Sequence, residues 1–258
     1  DASMCAAAAE GRLKTVQWLI DNGATNIEWA MENAAPNGHL EIVQLLAANG
    51  ATNLDEAMTA AAQEGHLDLV EWLFENGADD LETSMCEAAA EDRLEVVQWL
   101  AASGASHGFN DAAALNRAIC DAAEHGHLTV VEWLATNGAT VEIYTTGQIG
   151  INHATALAAK NGHLTVVEWL STIGGATFLD EALYCAAQNG HLDVVQSLVT
   201  NGAHAIHGAM HLAAKHCHFQ IAHWLAANGA DRDEALFYAT EDGNIEIFKW
   251  LLANGAAY

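Results

Sequence analysis

One motif recurs nine times along the chain, and this internal repeat constrains the fold more than any other feature. Its clearest copies are GHLEIVQLLAANGA from Gly38, GHLDLVEWLFENGA from Gly65 and GHLTVVEWLATNGA from Gly126. Measured from the residue before the His-Leu pair, successive copies lie 27, 27, 27, 34, 36, 28, 27 and 26 residues apart. Such a period is typical of a solenoid, in which each repeat buries its apolar face only against neighbouring repeats. We therefore expect an extended surface rather than a single catalytic pocket.

The repeat from Asn53 to Ala78 shows helical periodicity within one copy. Asp55 and Glu56 suit the N-terminal end of a first helix, where the helix dipole favours negative charge. Gly65 and the pair Asn76-Gly77 are typical of left-handed helix C-caps. The apolar positions at helical spacing are Ala57, Met58, Ala61 and Ala62 in the first helix and Leu67, Leu69, Val70, Leu73 and Phe74 in the second. One repeat is therefore predicted to be helix, tight turn, helix and loop.

The recurring pattern A-A-x-x-G-H-L-x-V-V-x-x-L-x-x-x-G-A resembles the ankyrin repeat and covers the chain from about Ser3 to Ala256. The resemblance implies an all-α solenoid of about nine helix-turn-helix repeats. Ankyrin repeats usually have about 33 residues and a T-P-L-H tetrad, which this chain lacks. The missing length falls where the family places its β-hairpin finger, so we expect shortened or absent fingers. A single domain, 1–258, would hold repeats near 3–24, 30–51, 57–78, 84–105, 118–139, 154–176, 182–203, 209–230 and 235–256.

Two connectors, residues 106–117 and 141–153, are longer than the others. Long loops in a compact fold are often functional, so projecting loops, true fingers and tolerated insertions all stay open. β-Branched residues around Thr146-Gly147 favour a hairpin in the second connector. Residues 112–116 are expected to add a helical turn in the first.

The net charge of −26, from 34 acidic and eight basic residues, limits the kinds of partner. Nucleic-acid binding depends largely on cations that neutralise phosphates, so we expect no nucleic-acid partner. Basic proteins or divalent cations fit better, although solubility alone would explain the charge. No apolar run approaches the roughly 18 residues needed to cross a bilayer, so no membrane role is expected.

The five cysteines form no C-x-x-C pair, and four of them occupy inner-helix positions. We expect these four to be buried or half-buried thiols in a reducing compartment, which points to the cytoplasm. The chain starts at Asp1 without a methionine, so a targeting segment cannot be read from it.

Tryptophan fills one outer-helix position in seven of the nine repeats. These residues are Trp18, Trp72, Trp99, Trp133, Trp169, Trp224 and Trp250, with Leu45 and Ser197 in the other two repeats. We expect each indole to pack on the next repeat rather than on a ligand. Trp29 lies outside this register and is a better candidate for a surface contact.

Histidine recurs in the G-H-L turn, where the ankyrin resemblance implies a structural hydrogen bond. Near the C-terminus, His207 and His211 are four residues apart on one helix, a spacing that can chelate a metal. His216 lies close by, but no carboxylate pattern completes a ligand set. A metal site is therefore only a minor alternative, and no cofactor is predicted. The chain has no P-loop, dinucleotide fingerprint or H-E-x-x-H motif, so we expect no enzyme.

The ankyrin resemblance places a partner on the concave surface lined by inner helices. Variable positions four residues apart lie on one side of each inner helix. A basic partner element would meet acidic positions in the middle of the chain, and an apolar anchor would meet the later repeats. The candidate contact residues are Glu87, Glu91, Asp121, His125, Tyr144, Asn161, Tyr184, Asn189, His211, His216 and Tyr238.

Both terminal repeats look like interior repeats, although solenoids normally end in polar capping repeats. The chain is therefore either a piece of a longer array or a subunit that assembles head to tail into a filament or ring. The candidate end-to-end residues are Met4, Phe237, Phe248, Trp250 and Leu252. The main prediction is a non-enzymatic protein-binding scaffold, with self-assembly as the principal alternative.

Overall fold

The computed structural model of the protein describes residues 2–106, 112–140, 150–241 and 243–257. Within these ranges the chain forms eighteen α-helices and one 3₁₀ turn, Ala35–Asn37, and no β-strand. The helices are α1 (Ala2–Ala9), α2 (Leu13–Asp21), α3 (Ile27–Ala34), α4 (Leu40–Ala48), α5 (Leu54–Glu64), α6 (Leu67–Glu75), α7 (Leu81–Ala90), α8 (Leu94–Ser106), α9 (Ala112–His125), α10 (Leu128–Thr136), α11 (Ile151–Asn161), α12 (Leu164–Thr172), α13 (Leu179–Asn189), α14 (Leu192–Thr200), α15 (Ile206–Lys215), α16 (Phe219–Ala227), α17 (Arg232–Glu241) and α18 (Ile245–Ala253). The predicted all-α class is confirmed.

The chain divides into two compact units, residues 1–122 and 123–258. Each unit is a stack of helix pairs, in which an odd-numbered inner helix is followed by an even-numbered outer helix. In the first unit α1 packs on α3 and α5 packs on α7. In the second unit α13 packs on both α11 and α15, and α15 packs on α17. The single domain spanning 1–258 stays a prediction.

The core of each unit lies between its stacked helix pairs. The inner helix α5 buries the four predicted small residues, Ala57, Met58, Ala61 and Ala62. The outer helix α6 buries Leu69, Val70 and Leu73, whereas Leu67 and Phe74 at the edges of its apolar face are only half-buried. These apolar faces are covered by neighbouring pairs, as the repeat period predicts.

A side chain of the following repeat covers most of the described turns between an inner and an outer helix. Gly190 ends α13 in the left-handed region, with φ +89°, and a Cβ there would lie 2.6 Å from Cε1 of His218. His218 Nε2–H also donates to the carbonyl oxygen of Gln188 at 3.1 Å. The same contact to the preceding repeat recurs for His39 with Ala9, His66 with Pro36, His163 with Glu124 and His191 with Lys160. The structural hydrogen bond implied by the ankyrin resemblance is confirmed, and it joins adjacent repeats.

An acidic residue in the first turn of several inner helices also joins adjacent repeats. Asp55 Oδ1 accepts the backbone N–H groups of Asp79 and Asp80 at 2.7 and 3.1 Å. Asp180 does the same for His204 and Ala205, at 2.7 and 3.0 Å. The sequence suggested only a helix-dipole role for Asp55, whereas the structure shows that its carboxylate holds the loop of the next repeat.

The described connections between repeats are short. Residues 76–80 are enough to join α6 to α7, and no finger forms there. In the first long connector α9 begins at Ala112, which confirms the expected helical turn. The hairpin expected around Thr146-Gly147 lies outside the described residues.

Candidate partner-binding surface

Four aromatic rings lie together on the inner-helix surface of the second unit. Tyr184, His211 and Phe237 each lie six residues before a turn residue, on α13, α15 and α17, and Tyr238 follows Phe237. The ring centroids of His211 and Tyr238 are 5.1 Å apart, and those of Phe237 and Tyr238 are 5.7 Å apart. Phe237 is 59% exposed and Tyr238 39% exposed. We call Tyr184, His211, Phe237 and Tyr238 the aromatic cluster.

A glycine inside α15 allows the cluster to close up. A Cβ at Gly208 would lie 2.9 Å from Cε1 of Tyr184, so the phenol ring rests directly on the backbone of the next inner helix. Sequence reasoning did not single out Gly208. The sequence did place a glycine inside a predicted helix. Because glycine lowers helix stability, such a position usually indicates close packing against a neighbouring element.

Carboxylates border the cluster. Burial raises the pKa of Tyr184 above its ordinary value, and the negative charges of Asp180 and Glu234 raise it further, as does the neighbouring Tyr238. The phenol therefore stays protonated at neutral pH and keeps a hydrogen-bond donor. Exposed aromatic faces beside carboxylates form a surface suited to a cationic side chain.

The predicted amide positions in the second unit are partly occupied within their own helices. Asn161 Nδ2 donates to the carbonyl of Leu157 at 3.0 Å, and Asn189 Nδ2 donates to that of Cys185 at 2.8 Å. Each bond closes the last turn of an inner helix. The amides remain exposed, but one donor of each is already engaged.

The two predicted histidines near turns are also exposed. His216 forms the C-cap of α15. His125 lies nearly parallel to His127, with ring centroids 6.2 Å apart. The structure therefore places both rings at the turn edge, away from the contacts that form the aromatic cluster.

The acidic positions predicted in the first unit have a different environment. Burial raises the pKa of the Cys86 thiol above its ordinary range, and Asp121, which accepts a hydrogen bond from the thiol, raises it further. Arg117 pairs with Glu82 on the same surface. Glu87 is half-buried and Glu91 is exposed. Asp121 is therefore engaged internally.

Trp29 projects from α3 of the first unit and is exposed, as its position outside the tryptophan register suggested. The carbonyl of Trp29 accepts a bond from Asn33 Nδ2. Tyr144, the remaining candidate, lies outside the described residues.

A family model described as ankyrin repeats (three copies) matches overlapping segments of the chain. The matched segments are 3–84, 31–111, 58–145, 85–182, 119–208, 155–234 and 183–258. The chain belongs to the ankyrin repeat family. No curated protein matches it. Ankyrin repeats generally act as protein–protein interaction modules.

This ankyrin chain has no membrane-spanning candidate in the part that the structure describes, because none of those helices is long and apolar enough. All five cysteines are free thiols, and the four on inner helices are buried or half-buried as expected.

The metal site that the sequence left as a minor alternative is not assembled. Among the described residues of this ankyrin chain, no group of three or more His, Cys, Asp or Glu is placed to hold a metal. His207 Nδ1 accepts the backbone N–H of Asp231 at 2.8 Å, which occupies its lone pair. Glu234 lies 3.6 Å from the same nitrogen, so we assign the hydrogen bond to Asp231. The ring of His211 packs on Tyr238, and His216 lies at the helix end.

The predicted end-to-end residues are not all available on the surface. Met4 is fully buried in α1, so its assignment to an end surface was wrong. Trp250 is half-buried, and its ring centroid lies 5.2 Å from that of Phe219 in the same chain. Phe248 is half-buried, whereas Phe237 and Leu252 are exposed.

Two of the seven register tryptophans pack in the opposite direction from the one expected. Trp99 lies edge-on to Phe74, with ring centroids 5.5 Å apart, and Trp250 lies against Phe219. In both pairs the indole contacts the preceding ankyrin repeat rather than the next one. Trp18, in the first repeat, is 62% exposed.

Proposed function

We propose that the chain is a non-enzymatic interaction module that binds a basic segment of a protein partner on the aromatic cluster. The observation that carries this proposal is the series Tyr184, His211 and Phe237 on three successive inner helices, bordered by Asp180 and Glu234. Tyr184 and Phe237 are exposed, and His211 between them is half-buried.

The chemistry of the cluster favours arginine or lysine. A guanidinium or ammonium group over an aromatic face gains about 0.5–1 kcal/mol at an exposed site and about 2 kcal/mol when desolvated. Asp180 Oδ1 already accepts the backbone N–H groups of His204 and Ala205, so the nearby carboxylates attract an arginine through their negative charge.

The charge of the whole chain acts in the same direction. A net charge of −26 steers basic partners toward the protein and repels nucleic acid. Because this attraction is screened by salt, it contributes more to association rate than to specificity. In the first unit, Glu87 and Glu91 would provide a separate acidic contact. We also propose a reducing compartment such as the cytoplasm, which the free thiols support.

The test is a fluorescence-anisotropy titration of the full chain with a labelled peptide, Gly-Arg-Ser-Arg-Gly-Arg-Gly. Its control is the same peptide with glutamate in place of each arginine. We expect the arginine peptide to bind and the glutamate peptide not to bind.

Tyr238→Leu should weaken binding of the arginine peptide about tenfold, which corresponds to about 1.4 kcal/mol. Trp29→Leu, which removes an exposed ring from the first unit, is the matched control and should leave the affinity unchanged. Equal binding of both peptides would contradict the proposal.

Self-association is the second candidate, favoured by the exposed apolar side chains of Phe237, Ile245 and Leu252 on α17 and α18. Light scattering across protein concentration should then show growing mass that Ile245→Lys abolishes. Ile173→Lys, at an equally exposed apolar position after α12, is the matched control. A constant monomer mass at all concentrations would remove this candidate.

A further inference from the structure

A groove of about 520 Å³ lies between the outer helices α2 and α4 of the first unit. Its apolar wall is formed by Leu13, Trp18 and Leu45, and Lys14, Asp21 and Glu41 lie around it. The volume falls within the range of about 300–1,000 Å³ that is typical of small-ligand pockets. The groove is on the outer-helix side, so it is independent of the aromatic cluster in the second unit.

The groove coincides with a missing tryptophan. Leu45 occupies the outer-helix position that holds an indole in seven of the nine repeats. In two repeats that have the indole, it lies against a ring of the preceding outer helix, as Trp99 does on Phe74 and Trp250 on Phe219. The shorter leucine leaves that space between α2 and α4 open.

The other repeat without this tryptophan shows the same consequence. Ser197 occupies the position in the seventh repeat, and a groove of about 620 Å³ lies between α12 and α14 beside it. Each of the two substitutions is therefore accompanied by a groove at the corresponding place.

The two grooves differ in chemistry. The α12–α14 groove is lined by Glu168, Thr172 and Asp193, and Asn201 Nδ2 donates there to the hydroxyls of Ser171 and Ser197. An indole placed over these groups would bury polar atoms without new partners, which is unfavourable. The α2–α4 groove instead offers two leucines and the indole of Trp18, which is 62% exposed.

We infer that the α2–α4 groove binds the tryptophan side chain of a partner segment in which a lysine or arginine adjoins that tryptophan. The partner indole would take the place that a tryptophan of the chain itself takes in other repeats, against the Trp18 ring and the two leucines. Aromatic pairs of this kind are favourable beyond the area they bury. Asp21 and Glu41 outnumber Lys14 at the rim, so a cationic neighbour completes the match.

The probe is the capped tripeptide Lys-Trp-Lys with 5-fluorotryptophan, titrated with the full chain and followed by ¹⁹F NMR. Capped Lys-Leu-Lys, added as a competitor, measures how much binding is due to the lysines and an ordinary apolar side chain rather than to the indole. The groove is filled by Leu45→Trp, which restores the residue that most repeats carry and is therefore expected to fold. Ser197→Leu, which gives the other groove the residue found at position 45, is the matched control. Glu41→Gln tests the charge at the rim.

We expect Leu45→Trp to weaken probe binding about tenfold and Ser197→Leu to leave it within about twofold. A second capped probe, Glu-Trp-Glu, reverses the flanking charge. Glu41→Gln should reduce the ratio of the affinities for Lys-Trp-Lys and Glu-Trp-Glu by about threefold. Probe binding that survives Leu45→Trp, or that Lys-Leu-Lys displaces equally well, would overturn the inference. The inference would also be overturned if the groove of one copy bound the exposed Trp29 of another copy. That pairing would raise the molecular mass in solution, and both Leu45→Trp and Trp29→Ala would abolish the increase. These outcomes do not depend on whether the aromatic cluster binds arginine.

Discussion

The turn edge and the inner-helix surface of the second unit both carry rings at repeated positions, but the two sets of rings contact different things. At the turn edge, His191 and His218 each cover a glycine of the preceding repeat and donate to one of its carbonyls. On the inner-helix surface, Phe237 and Tyr238 leave much of their ring area exposed. Rings that recur at most of the turns hold the stack together, and we propose that rings confined to a few inner helices form the surface for a partner.

The largest expected effect is at the turn edge. Gly190→Ala places a Cβ 2.6 Å from His218 and adds left-handed strain, since φ there is +89°. We expect a loss of about 2–3 kcal/mol in the free energy of unfolding, from the strain and the broken histidine hydrogen bond together. Urea unfolding followed by circular dichroism measures it.

Gly202→Ala is the matched control, because it has φ +104° with nothing within 4 Å of the added Cβ. It should lose only the strain, about 1–2 kcal/mol. Equal losses for the two variants would show that the histidine contact contributes nothing.

The next effect concerns the acidic residues that hold the following loop. Asp55→Ala removes the acceptor of two backbone N–H groups, so we expect a loss of about 1.5–3 kcal/mol. Asp68→Ala in the same repeat removes an acceptor used only by the adjacent Leu69, and it should change stability by less than about 0.5 kcal/mol. Thermal unfolding of both variants checks the difference, and a larger loss for Asp68→Ala would contradict the role of Asp55.

A smaller effect is expected inside the cluster. Gly208→Ala adds a Cβ 2.9 Å from the Tyr184 ring, which has to move. Because alanine favours a helix over glycine by about 0.5–1 kcal/mol, stability should be kept or slightly raised. Affinity for the arginine peptide should fall by about threefold, since the ring loses its position. The same affinity for Gly208→Ala and the wild type would argue that Tyr184 makes no contact.

The smallest expected effect is a difference in the rate of thiol alkylation. It compares Cys86 on the inner surface of the first unit with Cys217 at the turn edge. Cys217 is exposed at a turn, whereas Cys86 is half-buried, and burial together with Asp121 raises the pKa of its thiol. Only the thiolate reacts with iodoacetamide, so Cys86 should be alkylated at least about tenfold more slowly than Cys217. Peptide mass spectrometry over time measures both rates. Faster labelling of Cys86 would contradict its hydrogen bond to Asp121.

The fold could largely be predicted from the sequence because period and helical spacing are local signals. The core positions of α5 and the left-handed cap at Gly65 followed from one repeat. The contacts between repeats did not, since they join residues 24 to 39 apart for which the chain offers no periodic hydrophobic signal. The loop-holding role of Asp55, the packing direction of Trp99 and the burial of Met4 belong to this class.

The candidate site could be predicted only in part. Tyr184, His211 and Tyr238 came from the variable inner-helix positions, and the structure brings them together. Gly208, Asp180 and Glu234 were missed because their relation to the rings depends on how neighbouring helices pack. Asp121 was predicted to contact a partner, and its bond to Cys86 could not be read from spacing.

The central claim is that rings at the turn edge stabilise the stack and rings of the aromatic cluster bind the partner. The most direct test measures both unfolding free energy and arginine-peptide affinity for His218→Leu and Tyr238→Leu. We predict that His218→Leu lowers stability by about 1–2 kcal/mol with unchanged affinity, because it removes one hydrogen bond and one ring contact. We predict that Tyr238→Leu weakens affinity about tenfold with little change in stability. If both variants lowered the unfolding free energy alone, or both lowered the arginine-peptide affinity alone, the two sets of rings would not have separate roles.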